Sequence, residues 1–209
     1  MLSRKGLNMS DEFKISLAQL NATVGDLSGN TQKVMEAWEI ARDQRSDLIA
    51  FPELFITGYN PQDLILKTAF QKAATSSIDQ IAKACAQGPA IAIGGPFYDD
   101  NKLYNSYYIL ADGKIQAVIK KHHLPNEEVF DEVRLFSSGN VDGPFQIGKM
   151  RIGSPICEDA WHTDIVETLA ETGAQTLLVP NGSPYYRGKT EIRQNVMVSR
   201  VIESGLPLV

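Results

Sequence analysis

The chain has 209 residues, 43% of them hydrophobic and 22% charged, which is ordinary globular usage and excludes a disordered or fibrous class. Its 20 Lys and Arg against 25 Asp and Glu give a net charge of −5, which argues against a chain that grips nucleic acid or an anionic membrane through its overall field. No apolar run approaches the roughly 18 residues of a spanning helix, and the opening segment lacks the apolar stretch of a signal peptide, so Cys85 and Cys157 read as free thiols of a cytoplasmic protein.

Residues 1–12 read as an extension, with Met9 a candidate start, ahead of one domain over residues 13–209. Phe13, Ile15 and Leu17 alternate at period two and predict a strand over residues 13–20. Asn30 stands where it can cap a helix running to residue 45, with Val34, Trp38 and Ala41 on one stripe. A short buried strand over 47–51 stops at Pro52; a helix over 67–86 and a buried strand over 90–93 follow. Asp112-Gly113 between residues 105–111 and 114–121 predicts a hairpin. After a polar loop, a second hairpin pairs 145–147 with 150–152 around Gly148-Lys149, and a helix over 164–172, a strand over 176–179 and a helix over 190–203 complete the series. Leu206-Pro-Leu-Val209 reads as the opening of another buried strand, so the chain is expected to be part of a longer one. Mixed βα units and hairpins imply an α/β domain with mixed sheets.

Three residues stand at the ends of predicted strands, where ligands gather in open α/β sheets: Glu53 after Pro52, Lys121 at the close of the first hairpin, and Cys157 on a turn past the second. A thiol leading into a helix feels N-terminal dipoles that favour the thiolate. Together they form an acyl-transfer set. Glu53 takes the thiol proton, Cys157 attacks an amide carbonyl, and the Lys121 ammonium stabilises the oxyanion. Glu132 is placed to hold Lys121 through a charge-assisted bond, while Cys85 reads as packing. His122 and His123 close a strand, so their side chains are expected on opposite faces; His162, near Cys157 in sequence, is a second candidate base. No Cys or His sits at a zinc-type spacing, so no metal site is expected, and each histidine is expected to serve a structural hydrogen bond.

At these residues the sequence resembles the nitrilase (carbon–nitrogen hydrolase) superfamily, through Phe51-Pro-Glu-Leu54, Lys120-Lys-His-His-Leu-Pro125 and Ile156-Cys-Glu-Asp159 in order. Within it the chain is similar to the N-terminal glutaminase domains of glutamine-dependent NAD(+) synthetases. The residues that carry this are Leu20-Asn-Ala-Thr-Val-Gly-Asp26, Thr57-Gly-Tyr-Asn-Pro-Gln-Asp-Leu64, Val129-Phe-Asp-Glu132 and Asn181-Gly-Ser-Pro-Tyr185 with Gly188-Lys189. The resemblance implies a four-layer α-β-β-α sandwich, truncated at its C-terminus, and a Glu53, Lys121, Cys157 triad with Glu132 auxiliary to it. Glu158 and Ser183 would help hold the backbone groups of glutamine. It also implies a cofactor-free glutaminase step whose ammonia serves a C-terminal synthetase domain, absent here, that amidates deamido-NAD with ATP and Mg2+; homo-oligomerisation is implied as well. One departure is the acidic pair Glu127-Glu128, where such domains carry an aromatic at the glutamine site. An amidase acting on another small amide and a non-catalytic assembly domain are the alternative readings.

Overall fold

The computed structural model describes residues 12–127, 129–184 and 187–209, so the expected extension lies, Glu12 aside, outside the described residues. One sheet has five strands in the order β1 (Ile15–Leu17), β2 (Leu48–Ala50), β3 (Ala90–Asp99), β4 (Lys102–Ala111) and β5 (Lys114–Lys120); β1 to β3 run parallel, and β3 to β5 form an antiparallel meander. The second sheet comprises β6 (Phe145–Ile147), β7 (Met150–Gly153) and β8 (Thr176–Leu177), and Leu208 bridges in parallel to Leu177 beyond it. The helices are α1 (Leu27–Asp43), α2 (Thr68–Ala84), the single turn α3 (Glu132–Leu135), α4 (Thr163–Glu171) and α5 (Lys189–Ser204).

Strand periodicity sorts the side chains into layers. On β2, β3 and β4, Ile49, Ile91, Ile93, Tyr108 and Leu110 face one way and pack with Val34, Trp38, Ile78 and Ile81 of α1 and α2. Their neighbours Leu48, Ala50, Ala90, Ala92, Tyr107 and Ile109 face the other way and meet Phe145 and Ile152 of the second sheet. Residues two apart share a face and adjacent residues do not, so a central strand covered on both sides reads as a continuous apolar run. Beyond the second sheet, Ile165, Val166 and Leu169 of α4 pack on Leu177 and Val179, with Met197 of α5 at the margin. The order is helices, sheet, sheet, helices, as the resemblance implies. On β5, Ile115 and Ala117 fall in different cores although two residues apart; the pairing shifts opposite Ile109 and Leu110, and such a bulge turns the strand over.

Three local expectations change. Asp26, not Asn30, caps α1: its Oδ1 accepts the Gly29 N–H at 2.9 Å. Asn30 lies one turn inside the helix, fully buried, and its amide ties Thr23 and the Ile56 carbonyl together. The strand β3 does not stop at Ile93 but runs through Gly94-Gly95-Pro96, because beyond Ala92 its strand neighbour is β4 alone and an edge tolerates proline. It then turns into β4 through Asp100 and Asn101, both left-handed at φ 45° and 57°, a hairpin the sequence reading missed. The third change, at Cys157, belongs to the site below.

Gly94 sets the turn that carries Glu53. A Cβ there would press on the Leu54 nitrogen and lie 2.6 Å from the Glu53 carbonyl carbon, so β3 and the Glu53 turn meet only without a side chain. Gly94→Ala is expected to cost about 3 kcal/mol in urea unfolding, since rigid backbone must give way; stability equal to the parent's would show that the two segments do not pack so closely.

Candidate active site

Four segments deliver four functional groups to the carboxyl ends of the strands. Glu53 follows β2, on a turn in which Leu54 has φ 47°. Lys121 follows β5, its N–H donating to the Asn105 carbonyl at 2.9 Å and its carbonyl accepting from Gly139 at 2.8 Å. Glu132 opens α3. Cys157 follows β7 and starts a five-residue 3-10 turn, Cys157–Trp161, held by a 2.9 Å bond from its N–H to the Pro180 carbonyl. Its φ of 48° puts a non-glycine residue in the left-handed region, a strain of about 1–3 kcal/mol of the kind that gathers at functional sites. All four are buried, and Lys121 is fully so.

The ammonium is the hub. Lys121 Nζ lies 2.7 Å from Glu53 Oε1 and 2.9 Å from Glu132 Oε2. Asn105 Nδ2 donates to Glu53 Oε1 at 2.8 Å and reaches Glu132 at 3.4 Å; Tyr59 OH donates to Glu132 Oε1 at 3.1 Å. The Gly182 N–H donates to Glu53 Oε2 at 2.9 Å, and the next residue, Ser183, places its Oγ 3.5 Å from the Cys157 sulfur, so one short segment joins the carboxylate to the thiol. Glu53, Lys121, Glu132, Cys157 and Ser183 therefore meet as one cluster.

Burial works against the Lys121 charge, but Glu53 and Glu132 outweigh it and hold the lysine above its ordinary pKa. Burial raises the Glu132 carboxyl above the usual range, with Glu53 adding and Lys121 opposing. Burial first, then Glu53, push the Cys157 thiol up to about 12, against the pull of Lys121, Ser183 and Gly182. The expected dipole-stabilised thiolate is thus corrected: one 3-10 turn offers little field, desolvation dominates, and the resting sulfur keeps its proton. Such a thiol needs a base, and Glu53, accepting from three donors, is the carboxylate at hand.

Asn105, Tyr59, Gly182 and Asp159 were not singled out from sequence. Asn105 had a signal, a polar residue within the apolar and aromatic strand β4. Asp159 is buried, and its carboxylate accepts the N–H groups of His122 at 3.1 Å, His123 at 2.7 Å and Ile156 at 3.1 Å. It thereby ties the residues flanking Lys121 to those flanking Cys157. Asp159→Ala is expected to lose about 2–4 kcal/mol in urea unfolding, because each buried donor left unpaired costs about 1–3 kcal/mol. Asp159→Asn, which keeps one acceptor oxygen, should fall between; an alanine variant as stable as the parent would remove this tie.

The histidines depart from expectation. The strand β5 ends at Lys120, so His122 and His123 do not alternate across a sheet; their ring centroids stand 4.7 Å apart. His162 stacks on His123 at 3.8 Å and faces Glu158 Oε1 at 3.5 Å, so its partners are these and not the Cys157 sulfur. Glu158, part-exposed, lines a cleft of about 540 Å³ with Glu127, Phe130, Trp161 and Lys189. Lys189 Nζ sits 5.9 Å from the Phe130 centroid and 5.6 Å from that of Trp161. Glu128 and Tyr185 lie outside the described residues.

A family model for carbon-nitrogen hydrolases matches residues 14–209. The glutamine-dependent NAD(+) synthetase of Rhodobacter capsulatus is 50% identical over 200 residues, which are 96% of this chain and 36% of that protein. The solved glutamine-dependent NAD+ synthetase of Acinetobacter baumannii superposes with a TM-score of 0.89 at 34% identity, over 94% of this chain and 37% of that one. An amidase from Nesterenkonia sp. shares the fold at a TM-score of 0.80 and 24% identity, over 94% of this chain and 74% of its own. The chain spans about a third of the length of the curated relatives it matches.

Proposed function

The chain belongs to the carbon–nitrogen hydrolase family, and from that premise we propose that it is the glutaminase domain of a glutamine-dependent NAD(+) synthetase. The observation that carries this reading is the 50% identity over 96% of the chain to a protein of that name. The buried Glu53, Lys121, Cys157 cluster supports it with a mechanism.

Glu53 takes the Cys157 proton as the sulfur attacks the side-chain amide carbon of glutamine. The carbonyl oxygen becomes an oxyanion. Lys121 Nζ faces Glu53 Oε1 and both Glu132 oxygens within 3.1 Å, and its ammonium supplies the positive charge and an N–H for that oxygen. Collapse breaks the C–N bond, ammonia leaves with the proton Glu53 returns, and a thioester remains. Water, deprotonated by Glu53, attacks the thioester; glutamate departs and the thiol regains its proton. Glu132 keeps the ammonium in place throughout. Ser183 beside the sulfur and Glu158 in the adjoining cleft suit the polar groups of an amino-acid substrate. No metal or cofactor takes part in this half-reaction. The ammonia would serve a synthetase domain that amidates deamido-NAD with ATP and Mg2+. A cytoplasmic location belongs to the same reading, as does self-association, which the exposed Ile192, Val198 and Ile202 of α5 favour.

Glu127 in the cleft favours a second reading, an amidase for a different small amide. Ammonia release from glutamine, asparagine and short aliphatic amides separates the two. Preference for glutamine by kcat/KM supports the first, and preference for an aliphatic amide overturns it.

A further inference from the structure

The chain has three histidines, and all three gather on the surface beyond Lys121. His122, His123 and Asp164 each present one donor atom, and these lie within 4.8 Å of one another. Three features point to more than structural hydrogen bonding. His122 Nδ1 is 2.7 Å from the Gly139 carbonyl oxygen; a carbonyl only accepts, so Nδ1 carries the proton and Nε2 keeps its lone pair. That is the support found behind metal-bound imidazoles, whose second nitrogen donates to a backbone carbonyl and fixes the ring. His123 Nε2 lies 3.1 Å from both carboxylate oxygens of Asp164, close to the roughly 3.3 Å between two donors on one tetrahedral ion with bonds of about 2.0–2.2 Å. Finally, the backbone of both histidines is pinned by buried Asp159, so the donors are presented on a rigid segment.

We propose that His122, His123 and Asp164 form a binding site for a divalent transition cation of the imidazole-preferring class, Zn2+ foremost, with water in the remaining position. Two imidazoles and one carboxylate suit Zn2+ or Co2+ and not Mg2+ or Ca2+, which take oxygen ligands. On binding, the cation takes the His123 Nε2 lone pair, the imidazole proton is carried on Nδ1 so that the ligand stays neutral, and no redox change occurs. The exposed Asp164 side chain can turn to meet the cation. His162 stacks on His123 but directs its Nε2 to Glu158, so it is a neighbour and not a ligand. Bound there, the cation clamps the segment after Lys121 to the start of α4.

The test uses protein without an affinity tag, stripped with a chelator and dialysed, then titrated with Co2+ and followed by visible d–d absorption. One saturable site of about one Co2+ per chain, displaced by Zn2+ and indifferent to Mg2+, is the expected result. His123→Ala and Asp164→Asn should each weaken Co2+ binding about tenfold or more, while His162→Ala should leave it within about twofold. If His123→Ala fails to fold, the surface variant Asp164→Asn still decides. No saturable band, competition by Mg2+ at equal concentration, unchanged affinity in Asp164→Asn, or a His162→Ala loss as large as that of Asp164→Asn would each overturn the site. The readout is spectroscopic, so glutaminase activity can fail without touching it.

Discussion

Replacing Lys121 with alanine is expected to cost about 3–5 kcal/mol of stability, the usual penalty for breaking a buried ion pair from one side, and to abolish amide hydrolysis. Exposed pairs such as Arg42–Asp43 are worth under about 1 kcal/mol, because water and salt already screen them. Lys121 has no such screening: its side chain and those of Glu53 and Glu132 are essentially sealed from solvent. Removing the ammonium leaves two buried carboxylates facing each other. Glu132, which burial and Glu53 already raise, then loses the opposing pull of Lys121, so its folded-state pKa lies further above the unfolded one. A group raised in this way contributes its stability at low pH and loses it as pH climbs through the folded value. The stability gap between Lys121→Ala and the parent should therefore be smaller at pH 5 than at pH 8, measured by urea unfolding. Lys121→Met combined with Glu132→Gln should recover part of the loss. A variant as stable as the parent at pH 8 would mean that the ammonium does not hold the cluster together.

Cys157→Ala is expected to lower kcat/KM for glutamine about a thousandfold or more, since no other group can form the thioester, while changing neutral-pH stability little. The same variant tests the thiol's environment. Burial pushes the folded-state pKa from 9.0 to about 12, so an unfolded chain gives up this proton first as pH rises. The thiol's contribution is thus complete below pH 9 and is lost between about pH 9 and 12. Cys85, which burial also raises, is common to both proteins and cancels in the comparison. The difference in unfolding free energy between the parent and Cys157→Ala should therefore change steadily above pH 9, with the parent losing stability faster. Parallel curves would mean that the sulfur sits in a solvated or thiolate-stabilising setting.

Much of the fold was legible because apolar alternation and turn chemistry act locally. Asp112-Gly113 and Gly148-Lys149 each mark a hairpin that forms. Glu53, Lys121 and Cys157 were readable because each follows an apolar strand, and strand ends face the crevice. Longer-range contacts were less legible. The choice of Asp26 over Asn30 as cap depends on where the Ile56 carbonyl lies, and β3 runs past Ile93 because beyond Ala92 its pairing continues with β4 alone. The dipole argument for Cys157 failed because desolvation, a property of the assembled sandwich, outweighs one turn of helix. The pairing of His122 with His123 was hidden for a simpler reason: β5 ends one residue before Lys121, and the period-two rule lapses with it.

Cys157, activated by Glu53 beside Lys121, is expected to be the reactive thiol of the two cysteines. Peptide mass spectrometry after treatment with a chloroketone analogue of glutamine tests it most directly. A single adduct on Cys157 is expected, slowed by excess glutamine and sharply reduced in Glu53→Gln, with Cys85 unmodified. Labelling of both cysteines at similar rates, indifferent to glutamine and to the loss of the Glu53 carboxylate, would contradict it.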